Sequence, residues 1–299
     1  MENLAFIGKE ALSVNTSKNP RFVVLSFPYE GTACYQKGSS KAPKAIIQAS
    51  SQLELYDKET NISPCEWGIQ TAPIWFPDIS SNDPVKIVEA YTSFFDKQFN
   101  PKYQLPILLG GEHTATLALM PILSKIYPDV GIIFIDAHAD LRDSYESSKY
   151  SHACTARRLS ESFNLVEFGV RSLSKDEANF IDEYKIPVIF ASEWNNPNMI
   201  NLNILKILDN FPKNVHITLD VDVFDSGSLP CTGTPEPFGL TFNDVLRLIK
   251  DIFLIKNVVG IDVVELCPLA QLKACDYALV KLIYHIMGYS ILYNMQGRI

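Results

Sequence analysis

The chain has 299 residues, a formal net charge of -8 at pH 7 and no run of Lys or Arg. That balance argues against nucleic acid or an anionic membrane as the main partner and fits a small cationic one. No apolar stretch is long enough to span a bilayer, residues 1–20 carry Lys9, Glu10 and Lys18 where a signal peptide needs an apolar core, and no Gly/Ser- or Pro-rich linker interrupts the chain; a cytoplasmic protein with one domain over 1–299 is the expectation.

The first strand signal is the apolar run 22–27, and helical spacing follows over 42–55 and 84–95. Residues 105–109 form a second strand run, closed by Gly110-Gly111-Glu112-His113-Thr114 and followed by a helix over 117–126. The run 131–135 ends in Asp136-Ala137-His138-Ala139-Asp140. Strand signals at 165–170 and 187–190 flank a helical pattern at 175–184, and the Asn-rich stretch 195–203 reads as a loop entering a helix. The run 215–219 ends in Asp220-Val221-Asp222, a helix follows over 242–252, the run 258–264 ends at Glu265, and a last helix covers 277–292. Strand and helix alternate, which predicts an α/β, three-layer α-β-α fold around a mainly parallel sheet of about eight strands. Open sheets of this kind bind ligands beyond the carboxyl ends of their strands, where all four polar motifs fall.

Those motifs gather acids that cannot share a buried space unaided, because each uncompensated carboxylate would cost several kcal/mol or take up a proton. Asp136, Asp140, Asp220 and Asp222 carry four negative charges that two divalent cations would balance, while His113 and His138 add neutral nitrogen ligands. An oxygen-rich set without thiolate favours Mn(II) over structural zinc, so two Mn(II) ions per chain are expected. The spacing within Asp136/His138/Asp140 and Asp220/Asp222 follows the two-residue period of extended chain, which would aim alternate side chains into one space.

Other polar residues read as structural. The six cysteines show no C-x-x-C spacing and are expected reduced and mostly buried. His216 and His285, in a strand pattern and an apolar helix pattern, are expected to find ordinary hydrogen-bond partners. Asp225 is expected to organise a turn or to support a ligand from behind it, and Gly110-Gly111 to permit a close backbone approach before His113.

Gly-Gly-Glu-His-Thr (110–114), Asp-Ala-His-Ala-Asp (136–140), Leu-Asp-Val-Asp-Val-Phe-Asp (219–225), Thr-Gly-Thr-Pro-Glu-Pro (232–237) and Gly-Ile-Asp-Val-Val-Glu-Leu-Cys-Pro (260–268), in this order, resemble the ureohydrolases, the arginase and agmatinase family. Gly31-Thr32, Gln-Leu-Glu-Leu-Tyr (52–56) and Tyr-Ser-His-Ala-Cys (150–154) look most like agmatinases. One departure is Ser226, where the family usually has Pro; it bears on the local loop and not on the ligands.

The resemblance implies that Asp136 and Asp220 bridge two metals, with His113 and Asp140 completing one and His138 and Asp222 the other. It implies attack of a metal-bridging hydroxide on a guanidinium carbon, Glu265 holding the guanidinium, His152 delivering a proton to the departing nitrogen and Asp140 orienting the nucleophile. It also implies a homo-oligomer, trimeric or hexameric. The loop 141–151 lacks the arginase-like Ser-Gly-Asn segment that would bind an amino-acid carboxylate, and it carries Asp143 and Glu146 beside Arg142 and Lys149. Agmatine, hydrolysed to putrescine and urea, is therefore the expected substrate. Guanidinobutyrate, arginine or formiminoglutamate, a mononuclear zinc deacetylase-like hydrolase, and a metal-binding relative without catalysis are the alternatives.

Overall fold

Every strand of the sheet runs parallel to its neighbours, as expected where each is reached by a helical crossover. The computed structural model describes residues 4–8, 19–78, 83–195 and 197–294. The eight strands are β1 (Phe22–Phe27), β2 (Ile69–Thr71), β3 (Leu105–Gly110), β4 (Gly131–Ile135), β5 (Leu165–Val170), β6 (Val188–Phe190), β7 (Asn214–Asp220) and β8 (Asn257–Val264), in the order β2-β1-β3-β8-β7-β4-β5-β6. The helices are α1 (Ala42–Ala49), α2 (Pro84–Phe95), α3 (Ala115–Ile126), α4 (Thr155–Ser160), α5 (Lys175–Tyr184), α6 (Pro197–Asp209), α7 (Phe242–Ile255) and α8 (Lys273–Asn294).

Alternation along the strands divides the core into two slabs. Ile133 and Ile135 of β4 face a slab shared with α1, α6, α7 and α8, whereas Ile132 and Phe134 face the slab of α2, α3, α4 and α5. This is the expected α-β-α architecture. None of the described helices is long and apolar enough to cross a membrane.

Three elements fall short of or outside the sequence expectation. The helix expected over 42–55 stops at Ala49 and continues as a 3-10 turn at Ser50–Gln52, where the Ser50 hydroxyl donates back to the Ile47 carbonyl (2.7 Å). β2 and α4, three and six residues long, are too short for a periodic signal. α6 begins at Pro197, inside the Asn-rich stretch, with Pro at its first position.

The central strands β7 and β8 position the site. On β7, Ile217 and Leu219 enter the apolar slab, which turns His216, Thr218 and Asp220 to the other face, and Asp262 of β8 lies in register with Thr218. A buried polar column thus runs up the middle of the sheet toward its carboxyl end.

Candidate metal centre and active site

Each acidic or His motif sits just past a strand end. His113 follows β3, where the backbone must squeeze past its neighbour: a Cβ on Gly111 would lie 2.1 Å from the Tyr29 carbonyl oxygen. Asp136 follows β4 and Asp220 ends β7. Asp222 lies in the 3-10 turn Val221–Val223, and Asp140 takes a left-handed backbone with φ 49°. The extended two-residue period does not hold through these segments. Side chains converge because Asp136 and Asp220 accept from the backbone N–H two residues on (2.7 Å from His138 and 2.9 Å from Asp222), folding each segment back on itself.

The six side chains meet in one space. His113 Nδ1 stands 3.1 Å from Asp136 Oδ2, 3.1 Å from Asp140 Oδ2 and 3.4 Å from Asp220 Oδ2, while His138 Nδ1 stands 2.8 Å from Asp222 Oδ2 and 3.9 Å from Asp136 Oδ1. Two groups have ligand atoms close enough to share an ion, His113/Asp136/Asp140 and Asp136/His138/Asp222, and Asp136 belongs to both. Asp/His groups are thus positioned for a dinuclear centre.

Electrostatics at the site favour a compensating positive charge. Burial, reinforced by the charge of Asp222, pushes the Asp136 carboxyl up to about 7, and burial with Asp222 and Asp136 raises Asp220 well above the carboxylate range. Burial opposes the charging of Asp222 too, but the His138 partner outweighs it and holds Asp222 down to about 2. His138 is driven up to about 11 by Asp222 against the effect of its own burial. Neither His113 Nδ1 nor Asp136 Oδ2 makes a hydrogen bond, though both are buried. Orphaned ligand atoms facing one another across about 3 Å fit a bound divalent ion.

Supporting side chains fix the ligands. The Thr218 hydroxyl donates to Asp262 Oδ1 (2.5 Å) and so must accept from His113 Nε2 (2.8 Å), which aims the Nδ1 lone pair at the carboxylates. Asp262 is held in turn by His216 (2.7 Å). On the other side Arg171 donates to the carbonyls of Asp222 (2.7 Å), Glu236 (3.0 Å) and Pro237 (2.9 Å), tying the ligand turn to the loop after it. His285 Nδ1 stands 2.7 Å from Asp57 Oδ1, and Asp225 accepts from the N–H groups of Gly227 and Gly239 (2.9 and 3.1 Å), which holds the turn after the ligand strand.

Glu265 follows β8 with φ 65°, a strained conformation for a non-glycine residue. Its N–H donates to the Gly111 carbonyl (2.7 Å) and its Oε1 accepts from the His113 N–H (2.7 Å). Burial and the neighbouring Glu112 raise its pKa well above the carboxylate range. Glu265, His138, Asp140, Asp222 and His152 share the wall of one cavity of about 250 Å³, with the exposed Cys34 at its rim. Asp143 does not line it, being engaged at the surface by Arg158 (2.8 Å) and Lys149 (3.6 Å). A larger groove of about 870 Å³ runs beside β6 and α6, bordered by Lys185, Glu193 and Lys206, and holds none of these residues.

Thr218, Asp262, Arg171, Thr32 and Glu112 are the site residues that the sequence reading passed over. For Thr218 a signal exists: His216, Thr218 and Asp220 alternate with apolar residues along one strand. For Arg171, whose targets are backbone carbonyls 51 to 66 residues away, there is none.

Comparison with known proteins agrees with this architecture. The Arginase family model matches residues 20–288. The chain is 34% identical over 287 residues to an N(1)-aminopropylagmatine ureohydrolase of Synechocystis, covering 94% of this chain and 92% of that one. It is 34% identical over 275 residues to an agmatinase of Pyrococcus horikoshii, covering 91% and 93%. The crystal structure of agmatine ureohydrolase of Thermoplasma volcanium superposes with a TM-score of 0.84 at 30% identity, over 95% of each chain.

Proposed function

The chain belongs to the arginase family, whose ureohydrolases act on guanidino groups, and on that premise we propose that it is a one-domain agmatinase, hydrolysing agmatine to putrescine and urea. The observation that carries this reading is the sharing of Asp136 between two ligand groups that open on the same cavity as Glu265 and His152. We assign His113, Asp136, Asp140 and Asp220 to one ion and Asp136, His138, Asp220 and Asp222 to the other, with Mn(II) as the metal on the strength of the oxygen-rich donor set. Two such ions, when bound, would lower the pKa of water toward neutrality and would polarise the electrophile.

The chain's own residues do the rest. Glu265 Oε1 is fixed by the His113 N–H, so the carboxylate presents a set edge to a planar cation, pairing with two of its N–H groups. Asp140 orients the nucleophile by accepting its remaining proton. Water gives up one proton on attacking the guanidinium carbon and the second, held by Asp140, as the urea carbonyl forms; the bond to the alkyl nitrogen breaks, and His152 gives that nitrogen the proton it needs to depart as an amine.

The absence of the arginase-like Ser-Gly-Asn segment from 141–151 supports a substrate without a carboxylate at its far end. Asp143, engaged at the surface by Arg158, lies outside the cavity wall and is not assigned the distal amine. A second reading, N(1)-aminopropylagmatine, rests on the name of the Synechocystis relative. A trimeric or hexameric assembly and a cytoplasmic setting, the latter in keeping with six free cysteines, complete the proposal.

One experiment tests it: urea release by Mn(II)-loaded protein from agmatine, N(1)-aminopropylagmatine, arginine, guanidinobutyrate and formiminoglutamate. Agmatine should give the highest kcat/KM. Release from none of them by protein carrying two ions would leave a metal-binding relative without catalysis, and a single ion per chain would point to the deacetylase-like alternative.

A further inference from the structure

His152 is not an isolated loop residue. Its Nδ1 lies 3.2 Å from the Thr32 hydroxyl, which stands 2.9 Å from Oε1 of Glu112, a carboxylate with no exposure to solvent. The Thr32 oxygen also accepts the His152 backbone N–H (3.0 Å). A hydroxyl has one proton and two lone pairs. Donated to Glu112, that proton leaves both lone pairs for His152, one for its backbone and one for Nδ1–H. Glu112 is positioned to receive it, since Oε2 accepts the Thr32 N–H (2.7 Å) and Oε1 accepts the Thr114 hydroxyl (2.7 Å), so it acts toward all its partners as an acceptor. The Ser151 hydroxyl oxygen, 3.2 Å from Nδ1, shares the same imidazole proton. On the far side of the ring the Cys34 sulfur stands 3.7 Å from Nε2.

We propose that Glu112 and Thr32 are positioning residues for His152, forming a carboxylate–hydroxyl–imidazole relay that fixes the Nδ1–H tautomer and presents Nε2 to the cavity as the atom that takes up and delivers the proton. The relay does with an intervening hydroxyl what a carboxylate does directly in a Ser-His-Asp triad: it selects a tautomer and steadies the imidazolium when it forms. It also joins two segments 80 residues apart, so that the loop carrying Gly31-Thr32 and the turn before His113 set the ring together. This inference rests on the assignment of His152 as the proton donor to the departing amine.

The test separates the two. In the unaltered Mn-free protein, ¹⁵N NMR of the His152 ring should show a proton-bearing Nδ1 and a pyridine-type Nε2; the reverse tautomer would overturn the relay whatever the enzyme's substrate. Thr32→Val should mix the tautomers and lower kcat on agmatine about tenfold, within what a positioned acid contributes, with KM little changed and both Mn ions retained. Thr32→Ser should restore kcat to within about twofold of the unaltered protein, as a hydroxyl-specific role requires. Equal kcat for the Val and Ser variants would refute the relay. If the Val variant does not fold, the NMR measurement decides alone. A relay intact by NMR beside a His152→Ala variant of normal kcat would instead remove the catalytic reading of His152.

Discussion

His113 and Thr218 meet ring to hydroxyl, Nε2 to Oγ1 at 2.8 Å, and that contact determines which face of the imidazole looks at the carboxylates. Because the Thr218 proton is given to Asp262, the hydroxyl can only accept from His113. Thr218→Val keeps the shape and removes the acceptor, leaving buried polar groups of His113 and Asp262 without their partner at a cost of about 1–3 kcal/mol. Affinity for one of the two ions is expected to fall about 10–100-fold while the other is retained. Metal titration followed by elemental analysis checks this, and simultaneous loss of both ions or of neither would count against the tautomer argument.

Stripping the ions should expose a pH dependence with a definite sign. Asp136 has a folded pKa of about 7 against an ordinary value of 3.8, so the metal-free folded state holds a proton that the unfolded chain has already released. Its contribution to stability is complete below about pH 4 and is lost as pH rises through 7. Asp220 and Glu265 are shifted in the same direction by burial, and His138, held up to about 11, loses its contribution over a higher range in the same sense. The melting temperature of chelator-treated protein should therefore fall between pH 5 and pH 8. Saturating Mn(II) should raise it by about 5 °C or more at pH 8 and by less at pH 5. A chelated protein that became more stable over that interval would contradict the buried-acid account.

Arg171 acts on the opposite flank. Its fork spans the carbonyls of Asp222, Glu236 and Pro237, a spread that a lysine ammonium cannot reproduce. Arg171→Lys should loosen the turn Val221–Val223 and weaken the ion shared by Asp136, His138 and Asp222 by about tenfold or more, leaving the ion at His113 and Asp140 in place. Asp222→Ala, which removes the proposed ligand, should lose the same ion and most turnover with the fold intact. Isothermal titration with Mn(II) distinguishes the outcomes, and an Arg171→Lys protein that binds both ions with normal affinity would show that the clamp does not govern the site.

What could be read in the sequence follows from period and chemistry. β4 is legible to the residue because a β-branched run buried on both faces has few alternatives, and α5 because its helical spacing over 175–184 is unbroken. The six candidate ligands stood out because acids do not cluster at strand ends without a cation. The expected route of convergence was different: alternation ends at Ile135 and Asp220, and it is the turns at Asp136–His138 and Asp220–Asp222 that gather the side chains. The partners of His152 were hidden for another reason. Thr32 is 120 residues from it, and although Gly31-Thr32 belongs to the agmatinase-like segments, nothing in the sequence pairs its hydroxyl with His152 until the chain is folded.

Glu265 offers the sharpest test of how the substrate is held. Its backbone is left-handed with its N–H on the Gly111 carbonyl, and its Oε1 accepts the His113 N–H, which fixes the edge the carboxylate has to offer. Glu265→Gln preserves volume and can still accept from His113 through its amide oxygen, but it replaces the second acceptor by a donor and removes the charge. A planar cation facing it would lose one hydrogen bond and gain a repulsive one. Both ions should remain, the fold should be unchanged, and kcat/KM on agmatine should fall by at least about a hundredfold, a loss of roughly 3 kcal/mol of transition-state stabilisation. Kinetics like those of the unaltered protein would move the guanidinium-binding role to another residue of the cavity. A loss of metal in this variant would show instead that Glu265 acts through His113, whose backbone N–H its Oε1 accepts.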